Sequence, residues 1–323
     1  HLDIVDVSAS EEAVKRALDE RDQWCQLFGV YQSNSAMQSA IMLALDRRCK
    51  VAIASEAPCN MFPPSARRIA KNIYMKRLLR RRLPDIVEGV SFIINWSGED
   101  AISLRRLGWA PNKIIPCGYF SPPLVGSRFG VRENSSLDDI HILCTGYMTW
   151  HRGPDVLMEA LCHLDAWGIR FRATFTGNGP LEQQLQATSE RYGLACDFPG
   201  LVSMSKLIDL YENCTVFVAA GREEPWGMRV NDALNAGAPS IVSRGMGACK
   251  LIFDYGGGVT FAAGDAVDLA WKLRSMITDE NNYHRVCQKL LEHRDAILPC
   301  AAAARIANIL RSDFPEWLEG AAS

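Results

Sequence analysis

The chain of 323 residues is 48% hydrophobic and 22% charged, which is enough for two globular domains and unlike a disordered protein. Its 35 Lys and Arg nearly balance 37 Asp and Glu, and a net charge of −2 offers no broad basic field to nucleic acid. The 11 cysteines are scattered, with no C-x-x-C pair and no His/Cys group at zinc spacing, so a reduced compartment is expected and no metal site.

In the first half, DIVDVS is predicted to form a strand. A helix should follow, opened by Ser8 with Glu11 at capping-box spacing. LFGVY reads as a second strand, SNSAMQSAIMLALDRR as a helix with Met37, Ile41 and Leu45 on one face, and KVAIAS as a third strand. A helix from about Pro64 to Arg82, a strand VSFIINW, a helix SGEDAISLRRLG and a strand KIIPCG continue the alternation. Strands alternating with helices imply a parallel sheet covered on both faces, a Rossmann-like half. The stretch SPPLVGSRFGVRENSSLDD has Pro, Gly, Ser and charge without apolar period and reads as a linker.

Residues 65–82 hold Arg67, Arg68, Lys71, Lys76, Arg77, Arg80, Arg81 and Arg82, beside an apolar stripe of Ile69, Ile73, Tyr74 and Leu78. Such a basic amphipathic helix suits an anionic membrane surface and equally a solvated helix face. No apolar run approaches the ~20 residues that cross a bilayer. The opening HLDIVDVSAS lacks the basic and apolar regions of a signal peptide. The expected location is the cytoplasm, with the inner face of the cell membrane as a peripheral site.

The second half begins with a strand, DIHILCTG, a loop, YMTWHRGP, and a helix with Val156, Ala160 and Leu164 on one face. A strand, FRATFTG, a turn, GNGP, and a helix follow, then a turn at Gly200-Leu201 and a helix carrying Leu207, Leu210 and Tyr211. The stretch Thr215–Gly247, TVFVAAGREEPWGMRVNDALNAGAPSIVSRGMG, reads as a buried strand, a polar turn, a helix with Val230, Ala233 and Leu234 at helical spacing, and a further strand. A helix entered through Gly227 turns backbone N–H groups toward whatever lies before it, as a phosphate site requires. The tail reads as two helices meeting at Pro299.

This second half resembles the retaining nucleotide-sugar glycosyltransferases of family 4, of bacterial polysaccharide and glycolipid type, which have the GT-B fold. The family pattern has an acid, a short motif ending in Gly, a second acid eight positions on, then small residues, Gly and Pro. Glu224, Pro225-Trp226-Gly227, Asp232, Ala233, Gly237 and Pro239 stand there, with Asp where Glu is usual. The family's Gly-Arg…Lys-Gly loop is matched by Gly146, Arg152 and Gly153, with Tyr147 in place of the Arg. Gly177-x-Gly179-Pro180 and Gly200-Leu201 match two further turns, and Ser97, Gly108 and Gly118 match the end of the family's first domain.

The resemblance implies an α/β protein with two Rossmann-like domains facing a central cleft and a C-terminal helix crossing back to the first domain. The domains would be residues 1–122, a linker 123–138, and a donor domain 139–323. By that precedent Glu224 touches the donor sugar, Asp232 the ribose hydroxyls, amides near Gly227, Met228 and Arg229 the diphosphate, and Leu201 the base. Gly146, Tyr147, Arg152, Gly177 and Gly179 complete the donor site. Half of the family's cation pair is then missing, with a hydrogen bond from Tyr147 as its substitute, and His151 reads as a loop-surface histidine.

Tyr31 and Glu56 are the acceptor-side candidates. The family's opening Gly-rich turn has no counterpart before Gly29, and its first-domain His has none beyond His1. Either the sequence starts late or the acceptor side is built differently.

The implied reaction is metal-independent transfer, with retention, of a sugar from a nucleoside-diphosphate sugar to a glycan, lipid-linked or small-molecule hydroxyl. No cofactor is expected beyond that donor, and no nucleic acid. The competing readings are a GT-B partner protein that binds nucleotide or glycan without transfer, and a GT-B nucleotide-sugar epimerase.

Overall fold

In a computed structural model of the chain, the described residues are 15–16, 18, 26–29, 35–56, 83–97, 101–126, 137 and 139–317. The first predicted strand, Tyr31 and the basic segment 65–82 lie outside them. The described residues fall into two compact units, one running up to Gly118 and taking in the chain again from Ala303, the other formed by Tyr119–Ala302. By compactness the division falls between Gly118 and Tyr119, and the end of the tail belongs with the first unit.

The sheet of the first unit has four parallel strands in sequential order, β1 (Gln26–Phe28), β2 (Val51–Ser55), β3 (Phe92–Asn95) and β4 (Ile114–Pro116). All four β3 residues are buried, which is why this strand reads as a continuous apolar run. The helix Ser35–Asp46 covers the sheet through Ile41 and Ala44, both fully buried. In the tail, Phe314 and Trp317 set their rings 4.6 and 4.7 Å from that of Phe92.

The second unit has six parallel strands, β5 (His141–Thr145), β6 (Arg172–Thr176), β7 (Cys196–Gly200), β8 (Val216–Ala219), β9 (Ser240–Ser243) and β10 (Gly258–Phe261). Their spatial order is β10-β9-β8-β5-β6-β7. The chain winds outward from β5 through β6 and β7, then returns to lay β8 against β5, pairing Ile142 with Val216 and Leu143 with Phe217. The gap between β5 and β8 is thus the point where the winding reverses, and beyond the carboxyl ends of those strands doubly wound sheets open a binding crevice.

β5, β8 and β9 are buried along their whole length. β7, a strand that the sequence does not announce, ends at the Gly200-Leu201 turn: among the described residues it is an edge strand paired only with β6, its side chains are half-exposed or exposed, and Pro199 sits in it at no loss because an edge needs no further donor.

Candidate active site

Two loops meet at the reversal point. The first follows β5 and carries Gly146, Tyr147, His151 and Arg152 before the helix Pro154–Ala166. Gly153 starts that helix with φ 65°, and a Cβ there would lie 2.0 Å from the Ala220 carbonyl oxygen, so only glycine lets the loop close against the end of β8. The second loop follows β8 and carries Glu224. Its backbone is pinned on both sides, the Glu224 N–H donating to Gly245 O at 3.0 Å and the Gly247 N–H donating to Glu224 O at 3.1 Å. Arg222 ties the two loops together by donating to both Asp155 carboxylate oxygens at 2.8 and 2.7 Å and to Trp150 O at 2.8 Å.

The charged heart of the site is Arg152, Glu224 and Arg229. Arg229 Nη2 donates to Glu224 Oε2 at 2.9 Å, with both side chains close to nine-tenths buried at 11 and 13% exposure, and Arg152 Nε stands 4.0 Å from Glu224 Oε1. Both guanidinium groups converge on Gly146: a Cβ built there would lie 2.8 Å from Arg152 Nη1 and 3.4 Å from Arg229 Nη1. Gly146, Tyr147, Arg152, Phe175, Thr176 and Arg229 line a small pocket at this point. Tyr147 stands at its lip with 52% of its surface exposed.

Arg152 has its pKa lowered by burial and by Arg229, with Glu224 opposing. His151 is half-buried, not a surface histidine; its Nδ1 lies 3.1 Å from Thr149 Oγ1. Burial lowers its pKa and the two arginines lower it further, with Glu224 opposing. The Cys144 thiol beneath the pocket is pushed up to about 11 by burial against the pull of Arg229 and Arg152, so it remains a thiol.

Other predicted residues sit beside this cluster. Gly177 and Gly179 pack backward: Cβ atoms there would lie 2.3 Å from Gly146 O and 2.6 Å from Met148 O. Their lack of side chains allows the Met148 N–H to reach Asn178 O at 2.7 Å, so they shape the floor under Gly146. Leu201 is 77% exposed just after β7, and Met228 is 40% exposed at the start of the seven-residue helix Arg229–Asn235. Gly227, at φ 105°, leaves room for Met246, whose Cε would be 2.3 Å from a Cβ. That helix is anchored from below: Trp226 Nε1 donates to Asn231 Oδ1 at 2.7 Å, and Asn231 and Asn235 donate to the carbonyls of Tyr119 and Ser121 at 2.7 and 3.0 Å. Glu56 follows β2 in the first unit and is half-exposed.

Asp232 is half-buried on the same helix, and burial pushes its carboxyl up to about 6. The sign of the consequence is fixed. The native state favours the protonated acid, so the stabilisation is complete below the ordinary Asp range of about 4 and is lost as pH rises through about 6. Asp232→Asn should therefore gain thermal stability relative to the parent as pH is raised from about 4 to 7. A difference that stays flat across that range would show the carboxylate already compensated.

Residues 130–290 match the model of the family described as glycosyl transferases group 1. That segment belongs to the family. It is 27% identical over 216 residues to the sulfoquinovosyl transferase SQD2 of Arabidopsis thaliana, covering 66% of this chain and 41% of that protein. It is likewise 27% identical over 191 residues to the mannosylfructose-phosphate synthase of Agrobacterium fabrum, covering 54% of this chain and 41% of that one. The chain thus spans less than half the length of these two relatives. Among solved structures, HepE of Anabaena in complex with UDP aligns at a TM-score of 0.67 and 15% identity over 93% of this chain and 82% of that one. Sucrose-phosphate synthase of Thermosynechococcus elongatus aligns at 0.64 and 18% over 94% and 77%. The fold of the chain is accordingly that of the GT-B glycosyltransferases. Among the described residues, no three His, Cys, Asp or Glu side chains gather as metal ligands, and no helix is long and apolar enough to cross a membrane.

Proposed function

We propose that this chain transfers a sugar, with retention and without a metal, from a nucleoside-diphosphate sugar to an acceptor hydroxyl. The observation that carries the reading is the convergence of the Arg152 and Arg229 guanidinium groups and the Glu224 carboxylate on Gly146 at the reversal point of a doubly wound sheet. Two fixed cations there offset the charge that grows on a departing diphosphate, which is the part a metal plays elsewhere. The bond from the anomeric carbon to the phosphate oxygen breaks, a bond to the acceptor oxygen forms on the same face, and the leaving phosphate takes the acceptor's proton. Glu224 orients the sugar and is not the nucleophile. Asp232, whose carboxyl burial pushes up to about 6, suits two ribose hydroxyl donors, which would hold it ionised.

The nucleotide-binding part of the reading is supported by the family and by the UDP bound to HepE. Base, sugar and acceptor are to be found by a thermal-shift panel of nucleoside diphosphates and nucleotide sugars, in which ligand at a hundred times its Kd should stabilise by about 2.7 kcal/mol. The selected donor is then incubated with glycan and lipid-linked acceptors. Release of nucleoside diphosphate together with a product of unchanged anomeric configuration by NMR is the expected result. Binding without release under any acceptor would favour a nucleotide-binding partner protein, and an inverted product would overturn retention.

A further inference from the structure

The loop after β5 holds Tyr147 where the family pattern places an arginine, and the structure contains a guanidinium that occupies the same pocket from the other side. Arg229 opens the helix that follows the β8 loop, and its Nη1 comes within 3.4 Å of where a Gly146 Cβ would be, with the Arg152 Nη1 at 2.8 Å from that point. Its Nη2 donates to Glu224 Oε2 at 2.9 Å and, weakly, to Met246 Sδ at 3.9 Å. Its Nε is buried with no hydrogen-bond partner among the described residues. A buried guanidinium donor left unmatched is costly unless a ligand completes it. The cluster sums to one positive charge, two arginines against Glu224, and so lacks an anion.

We infer that the Arg229 side chain, and not only the backbone at its position, is the second cation that grips the donor diphosphate, replacing by its place in space the charge absent at position 147. Glu224 serves as its counter-ion. When the diphosphate enters between Arg152 and Arg229, the phosphate oxygens take over the guanidinium donors and Glu224 is released to the sugar. The assignment rests on the transferase reading above.

The test uses the nucleoside diphosphate that the intact chain binds most tightly among UDP, GDP, ADP, CDP and TDP, together with the matching nucleoside, titrated by calorimetry. A charge-assisted hydrogen bond contributes about 1.5 to 3 kcal/mol, so Arg229→Gln should weaken the diphosphate about 10- to 100-fold while leaving the nucleoside nearly unchanged. Adding Tyr147→Arg to Arg229→Gln should recover most of the lost diphosphate affinity, because the new side chain starts from the other wall of the same pocket. Arg229→Lys, which keeps charge but loses the fork, should fall between. Equal weakening of nucleoside and diphosphate, or no weakening in a folded Arg229→Gln, would overturn the assignment, as would failure of both Tyr147→Arg and Arg229→Lys to restore any phosphate preference. Absence of binding by the unaltered chain to all five diphosphates would instead overturn the transferase reading itself, and this inference with it.

Discussion

Glu224→Gln should lower turnover by about a hundredfold or more while leaving nucleoside diphosphate affinity unchanged or tighter. The substitution is isosteric. It leaves intact the two backbone hydrogen bonds that hold the residue between Gly245 and Gly247, at 3.0 and 3.1 Å. What it removes is the charge that lies 2.9 Å from Arg229 and 4.0 Å from Arg152. That carboxylate would compete with a phosphate for both cations, so neutralising it should free them for a diphosphate. Under the proposed mechanism it orients the sugar and offsets positive charge at the anomeric carbon, so its loss should fall on the chemical step. Saturating-donor kinetics and calorimetry with the nucleoside diphosphate separate the two effects. A variant with unchanged turnover would remove Glu224 from the mechanism, and one that loses turnover and diphosphate affinity in parallel would show that it builds the site and does not act in it.

The second large effect is on stability. Gly153→Ala should destabilise the protein by about 2 to 4 kcal/mol, combining a left-handed backbone penalty with overpacking. The backbone there is at φ 65°, and the added methyl would lie 2.0 Å from the Ala220 carbonyl oxygen, a backbone atom that cannot swing aside. Gly168 is the internal control: it has φ 73°, but nothing lies within 4 Å of its Cβ position. Gly168→Ala should then lose only about 1 kcal/mol, the conformational part. Urea unfolding with matched slopes measures both. Equal losses at the two positions would mean that the β5 loop can retreat from β8, and that the approach of Arg152 to Glu224 is not enforced by Gly153. If the prediction holds, the Gly153 variant should also lose donor binding, because the loop that carries Arg152 can no longer seat.

Much of this arrangement is legible in the amino-acid sequence for a local reason. Strands such as Val216–Ala219 and Ser240–Ser243 are buried on both faces, so burial writes an uninterrupted apolar run that can be read without knowing any neighbour. Glycines that must adopt positive φ, such as Gly146, Gly153 and Gly227, mark the turns in the same way. Glu224 and Arg152 could be picked out because the turns that carry them are themselves local patterns.

What sequence reading misses depends on distance along the chain. β7 is an edge strand with half-exposed side chains and Pro199 in it, so neither apolar run nor alternation marks it. The Arg222–Asp155 brace joins residues from two different loops and has no local signature. Gly177 and Gly179 look like ligand-facing glycines, yet their Cβ directions point into the Gly146 and Met148 backbone. Above all, the sequence shows a cation missing at position 147, because it can count residues only within one loop. The pairing of β5 with β8 is what brings Arg229 beside Arg152, and a charge pair in a binding pocket is set by where guanidinium groups meet in space, whichever strands deliver them.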